Sequence, residues 1–333
     1  WTDMASDLLV LIVSWNVAAL LRACLRSLYA APGGALAPDG TLRLGRYSVR
    51  VCVVDNASAD DSADMVRREF PQATLIATVA NLGFTGGNNA GLRAFQADPP
   101  RYVLLLNPDT AAVDDALARM LDFMEAHPDV AALGPQLRYG DGRPQSSRRR
   151  FPNMMTALME STLLEQWFPG NRWARAYRMA DTPDDVTQDV DWVVGACLLV
   201  RWAAIAQVGL LDERFFMYSE ELDWCRRMAA AGWRTVYLSE ALVIHHEGQS
   251  SSQVVAARHV HFNTSKVVYF RKHHGAAQAG LLRGFLLLTF ALSLAIEGLK
   301  FVLGHKRALH RERVGAYAQV LRSGLRPGGE GRA

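Results

Sequence analysis

In the first half of the chain, short continuous apolar runs alternate with segments in which apolar residues recur every three or four positions. Short runs of leucine, isoleucine and valine at Leu8–Val13 and Tyr102–Leu106 are typical of strands buried on both faces. Between them, Val17–Tyr29 and Asp114–His127 repeat apolar residues every three or four positions, which predicts amphipathic helices. Strands that alternate with helices predict βαβ crossovers and a doubly wound α/β fold.

The remaining elements are predicted by the same patterns. Strands are expected at Val49–Val54, Thr74–Ala77, Trp192–Val200 and Ala241–Ile244, and helices at Ser58–Phe70, Gly87–Ala97, Met154–Phe168 and from Ser219 to Ala231. The segment Ala31–Arg46 is rich in glycine, alanine and proline, and a loop is expected there.

Polar residues follow four of the predicted strands, and ligands of open α/β sheets bind at such carboxyl ends. The four strand ends contain Ser14, Trp15 and Asn16; Asp55, Asn56 and Ser58; Asn81 and Gly83; and Asn107 and Asp109. One polar strand end is ordinary turn chemistry, whereas four favour a nucleotide pocket. Asp109 ends a buried strand beside Asn107, so its carboxylate is well placed to hold a divalent metal on a diphosphate.

The glycine pattern excludes two common nucleotide-binding classes. A dinucleotide fold needs G-x-G-x-x-G directly after its first strand, and Ser14–Asn16 is no such turn. The glycines of the segment 83–91, which contains Asn88, follow the third strand at a different spacing, and no Walker A sequence occurs. Dehydrogenases and P-loop kinases are therefore excluded.

Three acids, Glu220, Glu221 and Asp223, open the helix predicted after the aromatic run Phe215–Tyr218. They could simply favour the helix dipole, and Asp223 could pair with an arginine three or four residues on. Alternatively, one carboxylate lies in the low dielectric behind the aromatic run, where a raised pKa suits a general base. Glu220 and Glu221 point about 100° apart, so one of them would face the pocket.

Further candidates lie in the second half. His245 follows a strand and could join Asp109 in holding Mn²⁺ or Mg²⁺, although a lone histidine is more often a packing residue. The run Arg148–Arg150 could bind an anionic acceptor such as a lipid diphosphate, or be a solvated basic loop. In the strand that begins at Trp192, Gly195 and Ala196 indicate close approach by a ligand or another backbone.

Composition narrows the class of protein. The chain has 333 residues, of which 50% are hydrophobic and 21% charged, and its formal net charge of +3 argues against nucleic-acid binding. Its four cysteines form no C-x-x-C pair, which favours buried, reduced thiols in the cytosol over disulfides or a zinc site. No signal segment is recognised, and Met4 could be the natural start.

Near the carboxyl terminus, Leu281–Gly304 is strongly apolar, with an uncharged run at Phe285–Ile296. That run is shorter than the ~20 residues that span a bilayer, and basic residues flank it. A helix lying in the interface of an anionic membrane is therefore predicted, the alternative being a core or dimer helix. A helix and a disordered end are expected after it.

Six motifs occur in order at suitable spacings and together resemble the inverting family 2 glycosyltransferases of GT-A fold, in particular a bacterial rhamnosyltransferase-type branch that builds cell-surface polysaccharides. The motifs are Ser14-Trp15-Asn16, Val54-Asp55-Asn56-Ala57-Ser58, Asn81-Leu82-Gly83-Phe84, Leu106-Asn107-Pro108-Asp109, Glu220-Glu221-Leu222-Asp223 and His245. The resemblance covers roughly Leu8 to His274.

The resemblance implies an α/β fold with a mixed central sheet. It implies a GT-A domain at 1–274, with a nucleotide-binding half at 8–133 and an acceptor-binding, catalytic half at 134–274, followed by C-terminal helices at 275–333.

It also implies roles for single residues. Asp55 would read a pyrimidine base, and Asp109 and His245 would hold the metal. Glu221 would be the base, with Glu220 and Asp223 as alternatives. The remaining donor-site residues would be Ser14, Trp15, Asn16, Asn56, Ser58, Asn81, Gly83, Asn88 and Asn107, and the segment lining the donor sugar and acceptor would contain Trp192, Gly195 and Ala196.

The expected activity is metal-dependent, inverting transfer from a dTDP- or UDP-sugar, with dTDP-L-rhamnose preferred, to a glycan or lipid-linked acceptor at the cytoplasmic face of the inner membrane. Whether the protein forms a homodimer stays an open question. Two residues depart from the family pattern: Asn107 replaces an acid of the metal motif, and the base is Glu rather than Asp. A non-catalytic scaffold and a sugar nucleotidyltransferase are the alternatives, although the latter should carry a glycine-rich turn after the first strand.

Overall fold

The computed structural model describes residues 6–31, 34–37, 41–246, 255–304 and 306–326. Contacts divide the chain into two compact units. Unit one takes the described residues within Trp1–Phe151, Thr182–Asp212 and Glu221–Ser250, and unit two takes those within Pro152–Asp181, Glu213–Glu220 and Ser251–Ala333. The expected functional division at residue 274 stays a prediction.

The strands, in chain order, are β1 Leu8–Ser14, β2 Gly34–Leu36, β3 Leu42–Leu44, β4 Tyr47–Asp55, β5 Thr74–Ala77, β6 Tyr102–Leu106, β7 Thr110–Ala112, β8 Val130–Arg138, β9 Pro144–Gln145, β10 Arg148–Arg149, β11 Gln188–Val190, β12 Trp192–Val193, β13 Cys197–Arg201 and β14 Arg234–His245. The helices are α1 Ala18–Tyr29, α2 Ser62–Glu69, α3 Gly83–Ala94, α4 Ala116–Ala126, α5 Met154–Met159, α6 Leu163–Trp167, α7 Arg172–Tyr177, α8 Trp202–Val208, α9 Glu220–Ala230, α10 Val255–His274, α11 Ala276–Val302 and α12 Arg307–Ser323.

Unit one is built on a mixed, twelve-stranded sheet with the main order β11-β14-β8-β13-β6-β1-β4-β3-β2. The strands β5, β4, β1 and β6 are parallel, whereas β13 is antiparallel to both of its neighbours. After β1 the chain first builds one side of the sheet and then crosses to β6 on the other. The carboxyl ends of β1 and β6 therefore flank a topological switch point, where α/β sheets bind ligands.

The interior of unit one explains why the early elements were predictable. Every residue of β1 and β6 is buried, so these strands are continuous apolar runs. Helix α1 buries one stripe, formed by Leu21, Cys24, Leu25 and Leu28. The four cysteines are buried and unpaired, as the sequence predicted.

The single strand predicted at Trp192–Val200 is wrong. The chain first forms β12, which pairs with β10 in a separate two-stranded sheet, and after a break it joins the main sheet as β13. At the break, the backbone N–H of Val194 donates to Ser147 O at 2.8 Å, and that of Gly195 donates to Glu221 Oε1 at 3.4 Å. These two donors face other segments, which interrupts the ladder.

Two further predictions are corrected. The helix expected at Met154–Phe168 is two short helices, because Ser161 takes a φ of 57° and Thr162 then caps α6 by accepting from Leu164 N. The loop expected at Ala31–Arg46 contains β2 and β3, whose antiparallel pairing extends the sheet edge beside β4.

Unit two is helical and contains α5–α7 and α10–α12. Helix α11 packs against both α10 and α12. Glu297 on α11 is buried and binds His310 Nδ1 of α12 at 2.5 Å, and Arg283 Nε donates to Gly324 O at 2.6 Å. Polar contacts near both ends of α11 therefore hold α12 alongside it.

Candidate active site

The ends of β1 and β4 meet in register, with Ser14 opposite Asp55. Ser58 N donates to Asp55 Oδ2 at 3.1 Å, which fixes the carboxylate across its own turn. Both residues are buried, and among the described residues no hydrogen-bond partner reaches Ser14 Oγ or Asp55 Oδ1. Buried polar atoms without a partner are rare, and these two adjacent acceptors could bind the N–H or O–H groups of a ligand.

Asn16 shapes the turn beside this pair. Its φ is 54°, a conformation that asparagine tolerates better than most residues. Its backbone N–H donates to Ser58 Oγ at 3.0 Å, and its side-chain oxygen accepts from Ala59 N at 2.7 Å. The turns after β1 and β4 are therefore joined, and Trp15, in the first of them, is partly exposed.

Asn56 and Asn81 join the end of β4 to the start of α3. Asn56 Nδ2 donates to Asn81 Oδ1 and to Gly83 O, each at 2.9 Å, while Asn56 Oδ1 accepts from Leu82 N at 2.9 Å. Gly83 takes a φ of 73°, which glycine adopts without a steric cost. The structure thus uses Asn56 and Gly83 to shape the loop that borders the candidate pocket.

The glycines of α3 serve helix packing. A Cβ at Gly87 would lie 2.7 Å from Val13, and one at Gly91 would lie 2.3 Å from Leu11. Asn88 is buried and donates to Phe84 O at 2.8 Å. Its Oδ1 is buried without a hydrogen-bond partner in the described part of the chain.

The two predicted metal ligands and the predicted donor-site residue Asn107 converge at the end of β6. Asp109 Oδ1 lies 3.3 Å from His245 Nε2, and Asn107 Nδ2 lies 3.4 Å from the same nitrogen. Pairing of β7 with β14 places His245 opposite Thr110, which brings the distant histidine to the Asn-Pro-Asp turn. Thr110 Oγ1 closes that turn by donating to Asn107 O at 2.7 Å.

His245 is oriented by a residue that the sequence did not indicate. Its Nδ1 lies 2.9 Å from Gln145 Oε1 and must be the donor, because the amide oxygen only accepts. In a neutral ring with this tautomer, Nε2 would carry a lone pair on the side of the buried Asp109 carboxylate, and both groups could then bind one cation. Such an oriented imidazole and carboxylate suit Mn²⁺ or Mg²⁺.

No group of three or more His, Cys, Asp and Glu side chains suited to a metal occurs within the described ranges. Asp109 and His245 together would supply two protein ligands to a cation.

The predicted base, Glu221, lies against the break between β12 and β13. Gly195 N donates weakly to its Oε1, and its Oε2 is buried without a hydrogen-bond partner among the described residues. Burial raises the pKa of Glu221 above its usual range, while its hydrogen bonds, including that from Gly195, and the charge of Arg149 oppose the rise. A carboxyl group with one committed and one uncommitted oxygen is suited to proton transfer.

The two alternative acids have different surroundings. Asp223 is fully buried and accepts from Arg227 Nε at 2.9 Å, which confirms the ion pair that its spacing allowed. Arg227 in turn donates to Val208 O and Leu210 O, so this pair fastens the loop before α9. Glu220 is buried and belongs to unit two.

The arginine run is divided between two roles. Arg148 is buried, lies over the Tyr237 ring at 5.2 Å, and donates to Pro183 O and to Thr182 O. It is therefore committed to the fold rather than presented as a solvated loop.

Arg150 is exposed and pairs with Asp191 at 3.3 Å, while its carbonyl accepts from Trp192 Nε1 at 3.0 Å. Nearby, Ala196 O accepts from Asn107 N at 2.9 Å, which joins the predicted sugar segment to the metal turn.

Comparison with known proteins agrees with this geometry. Residues 9–183 match the family described as glycosyl transferase family 2, and residues 102–304 match glycosyl transferase family group 2. The chain is 32% identical over 274 residues to the N-acetylglucosaminyl-diphospho-decaprenol L-rhamnosyltransferase of Mycobacterium tuberculosis, covering 80% of this chain and 87% of that protein. It is 26% identical to rhamnosyltransferase WbbL of Escherichia coli, over 49% of this chain and 61% of that protein.

A solved structure supports the fold. The mannosyltransferase PcManGT from Pyrobaculum calidifontis, in complex with GDP-Man and Mn²⁺, superposes with a TM-score of 0.53 at 14% identity, over 96% of this chain and 86% of that one. The predicted GT-A architecture with a mixed sheet is confirmed by this likeness.

Proposed function

The chain belongs to glycosyl transferase family 2, and we propose that it transfers a sugar from a nucleotide-sugar donor to a hydroxyl of a lipid-linked glycan acceptor, inverting the anomeric centre. The Mycobacterium tuberculosis relative bears the name of an L-rhamnosyltransferase that acts on a diphospho-decaprenol acceptor. We therefore propose dTDP-L-rhamnose as the donor. Membership of this family favours transfer to an acceptor over nucleotidyl transfer.

The observation that carries this proposal is the state of Glu221. Its Oε2 is buried and has no hydrogen-bond partner among the described residues, and burial raises its pKa. In the mechanism, Glu221 accepts the proton of an acceptor hydroxyl as that oxygen attacks the anomeric carbon. The bond from that carbon to the diphosphate breaks on the opposite face, and the diphosphate leaves with the electron pair.

The residues around the Asn107-Pro108-Asp109 turn would stabilise the diphosphate leaving group. Asp109 and His245 would hold Mn²⁺ or Mg²⁺, which supplies positive charge to offset the charge that develops on the diphosphate. Gln145 keeps the His245 ring in the tautomer that such binding needs. At the other end of the site, the buried Asp55 carboxylate would accept from a pyrimidine N–H, and Ser14 would complete that contact.

The first test is stabilisation of the protein by a panel of nucleoside diphosphates and their sugars, with and without Mn²⁺, measured by thermal shift. Metal-dependent stabilisation by dTDP and its sugar above purine nucleotides is expected. Turnover of dTDP-L-rhamnose with a polyprenyl-diphosphate-linked acceptor then tests the reaction. Stabilisation by no nucleotide would exclude the assigned donor and metal site.

One observation favours a second candidate, a non-catalytic nucleotide-binding scaffold. Asn107 leaves the metal turn with a single carboxylate, which is a weaker cation site than two acids would give. A scaffold would bind the donor and keep every property on replacement of Glu221 by Gln. An enzyme would keep donor binding and lose turnover, so this substitution separates the two functions.

We also propose that unit two rests on the cytoplasmic face of the inner membrane through α11. This 27-residue helix is long and apolar enough to cross a membrane, and most of its apolar stretch is not buried. The arginine-rich α12 packs along it, and spanning would carry those charges into hydrocarbon. A helix lying in the interface avoids that cost.

A further inference from the structure

The segment just before α9 has a strained backbone. Tyr218 and Ser219 take φ values of 70° and 65°, in the left-handed region that side chains with a Cβ rarely adopt. Two such residues in succession persist only where surrounding contacts determine the conformation. Glu221 follows two residues later, so this strained turn sets where its helix begins.

Helix α10 contacts each of the three residues before Ser219. Ser265 Oγ donates to Met217 O at 2.8 Å. The His261 ring stacks on Phe216, with centroids 4.5 Å apart and planes 23° apart.

The third contact is aromatic as well. The Tyr218 ring meets Phe262 at 5.7 Å in an edge-to-face arrangement. The α10 residues of these three contacts are spaced so that they share one face of the helix.

The same part of α10 is itself held in place. Lys266 lies 5.1 Å over the Phe262 ring and binds Glu160 Oε2 at 3.0 Å and Glu160 O at 2.8 Å. Burial alone would raise the pKa of Glu160. The pKa is nevertheless lowered to about 2 by the charges of Lys266 and Arg178 and by a hydrogen bond from Ser161. The buried ion pair therefore keeps its charge and fixes α10 against α5.

We propose that α10 is a positioning element for catalysis, and that Ser265, with His261 and Phe262, holds the strained segment Phe216–Ser219 so that Glu221 is presented at the start of α9. This rests on the proposed role of Glu221 as base. Ser265 touches neither substrate nor reacting atoms in this arrangement and is a positioning residue. Its loss should lower turnover and leave donor binding intact.

The test compares Ser265→Ala with Ser265→Thr, which keeps the hydroxyl, and with Ser293→Ala as a matched control. Ser293 also donates at 2.8 Å to a backbone carbonyl in unit two, but within its own helix. Ser265→Ala should lower kcat about tenfold with the donor KM unchanged, Ser265→Thr should recover most of it, and Ser293→Ala should be neutral. Phe262→Leu, which removes only the ring contact, should act in the same direction and replaces Ser265→Ala if that variant fails to fold.

A coupled variant tests the strain directly. Glycine adopts positive φ readily, so Ser219→Gly should need less support from α10. The kcat loss caused by Ser265→Ala, or by Phe262→Leu in its place, should therefore shrink severalfold in the Ser219→Gly background.

A kcat within twofold of wild type in both Ser265→Ala and Phe262→Leu, or an undiminished loss in the glycine background, overturns the positioning role. If Glu221→Gln itself keeps full activity, the proposed function fails instead, so the two failures are distinguishable.

Discussion

At the scale of single residues, the structure distinguishes Glu221 from Asp223 by what each carboxylate already contacts. We expect Glu221→Gln to lower kcat by roughly 10²–10⁴-fold, the usual contribution of a general base, while the dissociation constant for dTDP stays unchanged. Asp223→Asn should instead weaken the buried pair with Arg227 and lower the free energy of unfolding by roughly 3 kcal/mol. Steady-state kinetics and urea unfolding of both variants check this, and comparable kcat losses in the two would contradict it.

The raised pKa of Glu221 predicts a pH dependence. A base must be deprotonated, so kcat/KM should fall as the pH is lowered through that pKa, and the acid limb should lie above the usual 4.5. The positive charge of Arg149 lowers this pKa, so Arg149→Gln should move the limb to higher pH. Arg149→Lys keeps the charge and serves as the control. A limb that moves to lower pH in Arg149→Gln would refute the assignment.

Asn107 predicts a gain of function in metal binding. Replacement by Asp places a second carboxylate beside Asp109 and His245, and hard divalent cations prefer such oxygen ligands. We expect Asn107→Asp to lower severalfold the Mn²⁺ concentration that gives half of the dTDP-dependent thermal shift. Asn107→Ser adds no charge and should not. Equal Mn²⁺ requirements in all three proteins would place the metal elsewhere.

Sequence patterns predicted that polar residues at strand ends, including Asp55 and Asp109, lie along one edge of the sheet, because parallel strands bring their carboxyl ends together there. Gln145, which orients His245, could not be found in this way. It lies 100 residues from its partner along the chain, on a two-residue strand that has no periodicity of its own. The hydrogen bonds between Asn89 and the Leu211 backbone were equally unpredictable, because they arise only from tertiary packing.

At the scale of secondary-structure elements, the glycines of α3 give a prediction about packing. A Cβ at Gly91 would approach Leu11 to 2.3 Å, so Gly91→Ala should cost roughly 1–3 kcal/mol of unfolding free energy despite the higher helix propensity of alanine. Gly315 on α12 has nothing within 4 Å of its Cβ position, and Gly315→Ala should stabilise by up to about 1 kcal/mol. Urea unfolding of both variants gives the comparison. If Gly91→Ala is as stable as the wild type, β1 or the Leu11 side chain can shift at little cost.

Two short strands and two amphipathic helices were predicted well. Thr74–Ala77 and Tyr102–Leu106 have the expected bounds, and α1 and α4 differ at their ends by one or two residues. Two of the failures lie where a local conformation interrupts an apolar run, at Ser161 with its positive φ and at Gly195 with its donor turned towards Glu221. An apolar run in the sequence does not indicate where the backbone breaks the regular hydrogen-bonding pattern of a helix or a sheet.

At the scale of the whole molecule, the sequence predicted an interfacial helix from the uncharged run Phe285–Ile296. In the structure this helix spans Ala276–Val302, and the burial of its side chains shows which face packs against other helices. Leu282 and Leu286 are buried, whereas Leu281 and Leu288 are 63% and 59% exposed. Hydropathy could not separate these two faces, because both are apolar and only packing against α10 and α12 distinguishes them.

This exposed face leads to a prediction about membrane binding. Leu288→Glu combined with Leu292→Glu places two charges on the exposed face, at positions 59% and 44% exposed, so the soluble fold should be retained. We expect at least about tenfold weaker binding to vesicles that contain anionic phosphatidylglycerol, because each leucine loses its apolar contact with lipid. Val79→Glu, at a fully exposed position in unit one, is the matched control. Co-sedimentation with vesicles measures the binding, and the dTDP thermal shift shows that the donor site is unchanged.

The exposed face of α11 could instead bind a second copy of the chain. Sedimentation equilibrium without lipid separates this dimer contact from membrane binding. If the apolar face is a dimer contact, the wild-type protein will be a dimer that the paired glutamates dissociate, and vesicle binding will be weak in every variant. A monomer that binds anionic vesicles and loses this binding only with the paired glutamates places α11 on the membrane. The active site would then lie on a protein held where a polyprenyl-linked acceptor is confined, and turnover of that acceptor in vesicles should fall with the same substitutions.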